Sequence, residues 1–331
     1  MGKKRRGKRV LKILAWFFGL IAVCLLVFAV LHATYFSARY NRLQPTGSLV
    51  DVFDGQMHVL TAGSGDRTIV LLPGMGVPLP SADFGPLMRR FSEEYTVAVV
   101  EYFGVGFSSG TSRERTSENY VEEIREALKK AKLSGPFILM GHSISSVYSE
   151  HYAALYPEEV TAIISLDGTS TAYYAPAPAM MAKVLPIAKG AQALGLSNVL
   201  GPLVTNRQDA YDLGYTEQEI QNMLIFGGFS INDILIEQMI QSTEFIAQTK
   251  QLPYPKQVPF FKIIARDTFE TVNKQIPIPP DEYQYQHLER IGAHAQYEIL
   301  DGNHFIYQTN VEPIFSLVQQ FLASSEDSQL H

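Results

Sequence analysis

Short, uninterrupted apolar runs recur along this chain and alternate with segments of helical spacing. Six such runs follow one another, at residues 69–72, 97–100, 137–140, 162–166, 259–264 and 296–300. Runs of Val, Ile and Leu without polar alternation suit strands that are buried on both faces of a parallel sheet. Between two of them, Val121, Ile124 and Leu128 recur at helical spacing. The alternation predicts an α/β fold with a doubly wound, mostly parallel sheet.

Two departures from this rhythm refine the prediction. Asp54-Gly55 separates two short alternating runs, which is a strong signal for a β-hairpin. From about residue 171 to 251 the chain indicates helices without strands, and Thr216 with Glu219 forms a capping-box start for one of them. A helical insertion of this kind fits a lid over a site, and an ordinary structural elaboration is the alternative.

The N-terminus differs in composition from the rest. Seven Lys and Arg residues lie within residues 2–12, and residues 13–31 form a run of 19 residues without a charge. At about 1.5 Å per residue, such a helix spans the roughly 30 Å hydrocarbon core of a bilayer. A cleaved signal peptide is the alternative, but its apolar region is shorter and ends in a small-x-small site. Leu31 occupies the −3 position of the only plausible cleavage site.

These features predict the organisation of the whole chain. A basic cytoplasmic tail at 1–12 precedes a transmembrane helix at 13–36, a linker at 37–47 and the main domain at 48–331. Basic residues before the span keep the N-terminus in the cytoplasm and place the main domain outside. A myristoylation signal is rejected because Arg6 stands where Ser or Thr is needed.

Charge and cysteine content exclude several classes of protein. Nine basic residues and no acidic residue precede Asp51, so the remainder of the chain contains 18 basic and 33 acidic residues. An acidic main domain offers no footprint for nucleic acid. Cys24 is the single cysteine and lies in the apolar run, so no intrachain disulfide and no cysteine metal site is expected. An exported domain without cysteine favours a bacterial envelope.

Ser143 is the candidate nucleophile. It follows the apolar run 137–140 within Gly141-His142-Ser143, and a helix is predicted from about Ile144. A serine at a tight strand-to-helix turn presents its hydroxyl above the sheet edge. Ser145 stands where this motif usually has glycine, and the alternative is a chance Gly-His-Ser in a loop.

Residues 141–165 resemble the nucleophile region of the α/β-hydrolase family, especially its esterase and prolyl-aminopeptidase-like branches. The resemblance extends from about residue 50 to 322, with the lid poorly matched. The segment 71–76 is similar to the family's oxyanion turn, with Pro73 in place of histidine. The segment 101–108 resembles its Asp-x-x-Gly-x-Gly-x-Ser loop, with Glu101 for Asp.

The resemblance implies a general base and an acid. His304 follows the last predicted strand, where the family carries its catalytic histidine, and His294 is the runner-up. Asp267 follows the run 259–264, where the family places the acid. Glu270 in the same loop and Asp167 after the preceding run are the alternatives.

The backbone amides of Met75 and Ile144 fit the two donors of an oxyanion hole, by the resemblance and by the physics of a helix start. The leading hypothesis is therefore a membrane-anchored serine hydrolase that cleaves a small-molecule ester or amide. The apolar lid, with Tyr173, Tyr174, Met180 and Met181, suggests a substrate with a hydrophobic part.

Other chemistries lack support in the sequence. No histidine pair has metal spacing and no phosphate-binding loop is present, so no cofactor or metal is expected. Two further functions remain open. One is a catalytically silent binding or scaffold protein, motivated by Ser145, Pro73 and the compressed loop that carries Asp267. The other is a peptidase specialised for N-terminal residues.

Overall fold

One eight-stranded sheet organises the chain. The structure is a computed structural model that describes residues 2–173, 181–274 and 276–329. The strands are β1 (Ser48–Val52), β2 (Gly55–Ala62), β3 (Thr68–Leu72), β4 (Thr96–Glu101), β5 (Phe137–His142), β6 (Val160–Leu166), β7 (Phe260–Ala265) and β8 (Ala295–Leu300). Their order across the sheet is β1-β2-β4-β3-β5-β6-β7-β8.

Strand direction matches the apolar patterns. Strand β2 pairs antiparallel with β1 and with β4, whereas the pairs from β4 through β3 to β8 are parallel. The doubly wound, mostly parallel sheet is thereby confirmed. The Asp-Gly hairpin is also present, because Val52 pairs with Gly55 across the β1–β2 turn.

Helices cover both faces of the sheet. They are α1 (Gly2–Leu31), α2 (Ser37–Tyr40), α3 (Pro80–Asp83), α4 (Gly85–Phe91), α5 (Ser117–Lys130), α6 (Ser145–Leu155), α7 (Met181–Ala193), α8 (Leu196–Val204), α9 (Arg207–Asp212), α10 (Glu217–Gly227), α11 (Asp233–Gln251), α12 (Arg266–Glu270), α13 (Pro280–Ile291), α14 (Ile306–Thr309) and α15 (Val311–Gln329). A π-helical stretch, His32–Phe36, joins α1 to α2, and a 3-10 turn, Pro157–Glu159, precedes β6.

The side chains of each parallel strand alternate between two cores. Val70 and Leu72 of β3 pack with α5 and α6 on one face of the sheet. Ile69 and Leu71 pack with α4 and α15 on the other. All four side chains are fully buried, as expected where neighbouring residues of a strand point to opposite faces of a covered sheet.

Helices α7 to α11 form an insertion between β6 and β7, called the lid below. The capping box expected at its centre is present, since Thr216 and Glu219 bond to each other's backbone amides at the start of α10. Tyr173 packs against Tyr283 with ring centroids 6.1 Å apart. The predicted lid residues Tyr174 and Met180 lie outside the described residues.

Helix α1 and its continuation stand apart from the sheet. The helical stretch Lys8–Tyr40 is long and apolar enough to cross a membrane, judged by length and composition, and its apolar window is not buried against the rest of the chain. A signal sequence near an N-terminus meets the same test. The predicted span 13–36 falls within this stretch.

A charged cluster is buried beneath the carboxyl edge of the sheet. Lys262 of β7 places Nζ 2.7 Å from His287 Nδ1, and His287 Nε2 lies 2.7 Å from Glu150 Oε1. Arg290 donates to the other Glu150 oxygen at 2.9 Å. Burial lowers the pKa of Lys262 to about 8 and that of His287 to about 4. The cluster ties β7, α6 and α13 together under the site described next.

Candidate active site

Ser143 occupies the sharp turn between β5 and α6. Its φ is 55°, in the left-handed region that residues with a side chain rarely adopt. The Ser143 N–H donates to the Leu166 carbonyl at 3.2 Å, which fixes the turn to β6. A Cβ on Gly141 would lie 2.7 Å from the Ser145 carbonyl oxygen, so glycine permits this close approach of strand and helix. The hydroxyl of Ser143 is thus presented above the carboxyl edge of the sheet.

His304 lies beside that hydroxyl. It sits in the loop between β8 and α14, and its Nε2 is 3.0 Å from Ser143 Oγ. The His304 side chain is 45% exposed, so a substrate or a water molecule can approach this pair. The structure therefore brings together the two residues that the sequence nominates as nucleophile and base.

Asp167 holds the other side of the imidazole. Its Oδ2 is 2.6 Å from His304 Nδ1, and its side chain is fully buried. The same carboxylate accepts the Ala265 N–H at 2.9 Å through Oδ1 and the Thr268 hydroxyl at 2.7 Å through Oδ2. A carboxylate accepts hydrogen bonds, so Nδ1 carries the proton and Nε2 is free to accept one from Ser143.

The structure does not bring Asp267 to His304. Strand β7 runs directly into α12, which places Asp267 in the first turn of that helix with its side chain exposed. The next residue, Thr268, reaches the site instead, through its bond to Asp167. The alternative Glu270 pairs with Arg266 at 3.2 Å. Asp167, an alternative in the sequence analysis, is the carboxylate that lies within hydrogen-bond distance of His304, and Asp267 is not.

The two segments expected to donate to an oxyanion meet at Ser143. Ile144 is the N-cap residue of α6 and follows the serine directly. Gly74 precedes Met75, and a Cβ on Gly74 would lie 3.1 Å from the Cβ of Ser143 and 2.5 Å from His142 Nδ1. Glycine thus lets the backbone before Met75 pass close to the serine. The donor roles of the Met75 and Ile144 amides stay predictions.

Ser145, the departure from the glycine of the motif, has a defined role in the packing. Its hydroxyl is fully buried and donates to the Pro73 carbonyl, while Tyr102 places its hydroxyl 2.6 Å from Ser145 Oγ. The two departures, Ser145 and Pro73, therefore bond to each other. They connect the start of α6 to the turn that carries Met75.

His142 directly precedes the candidate nucleophile in the sequence. In the structure its Nε2 lies 2.9 Å from the backbone oxygen of His304, and the two rings are 4.7 Å apart. Burial, followed by the nearby His304 charge, lowers the pKa of His142 to about 3. The neutral ring therefore donates from Nε2 and supports the loop that carries His304. No sequence pattern marks this role, because it depends on how β5 and the loop after β8 meet.

Two cavities flank the site. One of about 630 Å³ reaches His304 and Tyr283 and is lined by the apolar side chains Val272, Ile276 and Ile278 among others. The other, of about 460 Å³, lies between the lid and the loop after Met75, where Gly76 and Val77 line it. Either cavity has room for a small organic substrate group.

Within the described ranges, no three His, Cys, Asp or Glu residues are grouped so that they could hold a metal ion. Cys24 is a free cysteine on the exposed surface of α1.

The chain is similar in sequence to a protein-family model and to a bacterial protein. A family model described as alpha/beta hydrolase fold matches residues 67–217, a range that contains Ser143 and Asp167. The protein YbdG of Bacillus subtilis (strain 168) is 29% identical over 332 residues, which cover 95% of this chain and 98% of YbdG.

Two similar proteins whose names state an activity match less of the chain or share less sequence with it. The 2-(acetamidomethylene)succinate hydrolase of Mesorhizobium japonicum is 32% identical over 120 residues, which cover 36% of this chain and 42% of that enzyme. A thermophilic esterase from Thermogutta terrifontis superposes with a TM-score of 0.61 at 15% identity, over 86% of this chain and 99% of the esterase.

Proposed function

We propose that this chain, which has the α/β-hydrolase fold, is a membrane-anchored serine hydrolase that cleaves an ester or amide through an acyl-enzyme. One observation carries the proposal. Ser143, at a φ of 55°, places Oγ 3.0 Å from His304 Nε2, and His304 Nδ1 lies 2.6 Å from the buried Asp167. Order and geometry of these three groups fit nucleophile, general base and orienting acid.

The geometry supports the following acylation step. Ser143 Oγ attacks the carbonyl carbon of the substrate while its proton passes to His304 Nε2. Asp167 stabilises the imidazolium that forms and keeps the proton of Nδ1 in place. The charge that develops on the carbonyl oxygen is met by the amides of Met75 and Ile144. His304 then protonates the leaving alcohol or amine as its bond to carbon breaks.

Deacylation repeats these roles with water. His304 takes a proton from a water molecule, the hydroxide oxygen bonds to the acyl carbon, and Ser143 leaves with the proton returned by His304. The 45% exposure of the His304 side chain is consistent with access for that water. The products are a carboxylic acid and the alcohol or amine of the first step.

Relatives support a hydrolytic reaction over a silent scaffold. The similar proteins described above include a hydrolase and an esterase. The features that motivated the scaffold hypothesis support it less in the folded chain, because Ser145 and Pro73 bond to each other and a buried carboxylate, Asp167, lies 2.6 Å from His304. The apolar lining of the 630 Å³ cavity supports a substrate with a hydrophobic part.

A fluorophosphonate probe tests the proposal, because it phosphonylates an activated serine. We expect labelling of the folded full-length chain and no labelling of Ser143→Ala. Ser146→Ala is the matched control, since this neighbouring serine bonds to Ser165 and not to His304. A folded wild type that stays unlabelled would favour the scaffold. Faster hydrolysis of aminoacyl amides than of short acyl esters would favour the peptidase.

The membrane anchor is a separate part of the proposal and has its own test. Support comes from the exposed apolar helix within Lys8–Tyr40 and from the basic residues before it. We expect the mature protein in membranes to retain residues 1–36, measured by intact mass. Protease added outside cells should digest the main domain. A mature chain that lacks the helix would show that it is a cleaved signal.

A further inference from the structure

The outer end of the apolar helix is packed against the lid. His32 places Nδ1 2.7 Å from Asn198 Oδ1 of α8, and its ring stacks on Phe229 at 4.6 Å. A Cβ on Gly195, in the turn between α7 and α8, would lie 2.7 Å from the Phe28 carbonyl oxygen. The lid is therefore attached to the last two turns of the apolar helix and not only to the sheet.

Beside this attachment the lid exposes a group of apolar side chains, called the lid patch. Its members, on α7, in the turn after it and on α8, are 37% to 81% exposed: Val184, Ile187, Leu194, Leu200, Leu203 and Val204. Val184 and Ile187 are three residues apart on α7, and Leu203 and Val204 follow Leu200 by three and four residues on α8, which puts the members of each helix on one face. Helix α8 contains no charged residue. Single exposed apolar residues need no explanation, but a group of this kind marks an interaction surface.

We propose that the lid patch rests on the outer leaflet of the bilayer, at the boundary of headgroups and acyl chains. The proposal rests on the membrane anchor proposed above. Phe28 and His32 lie within one turn of Leu31, the last residue of the uncharged run, and one turn rises about 5.4 Å. Gly195 is therefore held at the level where the hydrocarbon core ends. The residues of the lid patch lie on both sides of Gly195 along the chain, on α7 with the turn after it and on α8.

A lipid surface fits better than a second copy of the chain because Gly195, which directly follows Leu194 of the lid patch, lies against Phe28 of α1. The apolar surface of α1 is itself exposed. A bilayer that surrounds α1 therefore also contacts the lid helices that adjoin it. Amphipathic segments bury their apolar face about 5–10 Å into this boundary. The lid patch then adds contact area next to the anchor.

The placement also defines the class of substrate. Tyr40, at the end of the membrane-proximal helix, and Gly76, next to Met75, line the same 460 Å³ cavity. Phe226 and Phe229 of the lid also line it. A cavity that runs from the membrane-proximal segment towards the oxyanion turn suits an amphiphilic ester or amide that partitions into the bilayer.

Depth-dependent fluorescence tests the placement. The full-length chain carries Cys24→Ser and one new cysteine with an environment-sensitive dye, in phosphatidylcholine nanodiscs with or without brominated acyl chains. Leu203→Cys reports the lid patch and Val23→Cys reports the anchor. Lys130→Cys, at the far end of α5 and 51% exposed, is the control. We expect brominated lipid to quench the dye at residues 203 and 23 and not at 130.

Three other quenching results would each overturn the proposal for a different reason. Quenching at residue 23 alone would leave the anchor in place and show that the lid patch faces water. A blue-shifted dye at 203 that brominated lipid does not quench would assign the lid patch to protein contact, such as a second copy. Absence of quenching at 23 would refute the anchor itself.

A pair of charge substitutions tests the consequence for substrate. Leu200→Glu with Leu203→Glu should lower hydrolysis of a long-chain ester in vesicles by about tenfold, because charge opposes contact with the acyl region. Hydrolysis of a water-soluble short-chain ester should not change. Leu49→Glu, on an exposed leucine of β1 that is 42% accessible, should alter neither rate. An unchanged ratio of the two rates in the double variant would refute delivery from the membrane.

Discussion

Replacing Asp167 by Asn tests whether Asp167 or Asp267 is the acid that orients His304. Oδ1 of Asp167 accepts the Ala265 amide at 2.9 Å, while Oδ2 faces His304 Nδ1 at 2.6 Å. The side-chain oxygen of asparagine would continue to accept the hydrogen bond from the Ala265 N–H, because that backbone amide is fixed. The NH₂ group of the asparagine would then point at His304 Nδ1. Nδ1 must then accept, which moves the imidazole proton to Nε2. In that tautomer His304 cannot take the proton of Ser143.

The expected loss is large. A wrong tautomer in a serine triad costs about 10⁴-fold in kcat, which corresponds to about 5 kcal/mol of activation free energy. The assay is steady-state hydrolysis of a chromogenic ester, with thermal unfolding to show that the variant folds. Asp267→Asn is the matched control, and it should lose far less activity than Asp167→Asn because its exposed side chain makes no hydrogen bond to His304. Loss of activity in Asp267→Asn together with near-normal Asp167→Asn would refute the assignment.

Three further outcomes concern stability, each measured by urea unfolding. The pKa of His142 is about 3 in the folded chain and about 6.5 in the unfolded chain, so the wild type loses stability as the pH falls from 6.5 towards 3. Between pH 7 and 5, the free energy of unfolding of His142→Gln should therefore fall by about 2 kcal/mol less than that of the wild type. Equal falls in the two proteins would contradict this prediction. Glu150→Gln should cost about 3–5 kcal/mol, because it leaves the Arg290 guanidinium without its buried carboxylate partner. Glu159→Gln, in a partly exposed pair, should cost less than about 1 kcal/mol; equal costs would refute the distinction. Ser145→Ala should cost about 1–3 kcal/mol, since buried partners lose their hydrogen bonds, and an unchanged midpoint would show that these bonds contribute nothing net.

Local patterns were sufficient wherever the determining interactions are close along the chain. Asp54-Gly55 predicts the β1–β2 hairpin because turn geometry depends on adjacent residues. The setting of Ser143 is similarly local, since a buried strand, a glycine and a helix start follow one another within a few residues. Position after the last strand pointed to His304, and the structure places that histidine beside the serine.

The same reasoning could not choose between Asp167 and Asp267. Both follow apolar strands, and β6 and β7 are neighbours in the sheet, so both reach the same edge. What separates them is the direction of each side chain beyond its strand. Asp167 turns inward at a φ of 44°, whereas Asp267 begins a helix and faces solvent.

The sequence by itself determined the succession of strand segments along the chain, the tight turn at Ser143 and the apolar N-terminal helix, because hydrophobic period and turn chemistry act over a few residues. Only the tertiary structure decided which carboxylate faces His304, that His142 bonds to the His304 backbone, and that His32 meets the lid. Asp167 and His304 are 137 positions apart. Contacts at such separations depend on how strands and helices pack, and no local pattern encodes the direction in which a side chain then points.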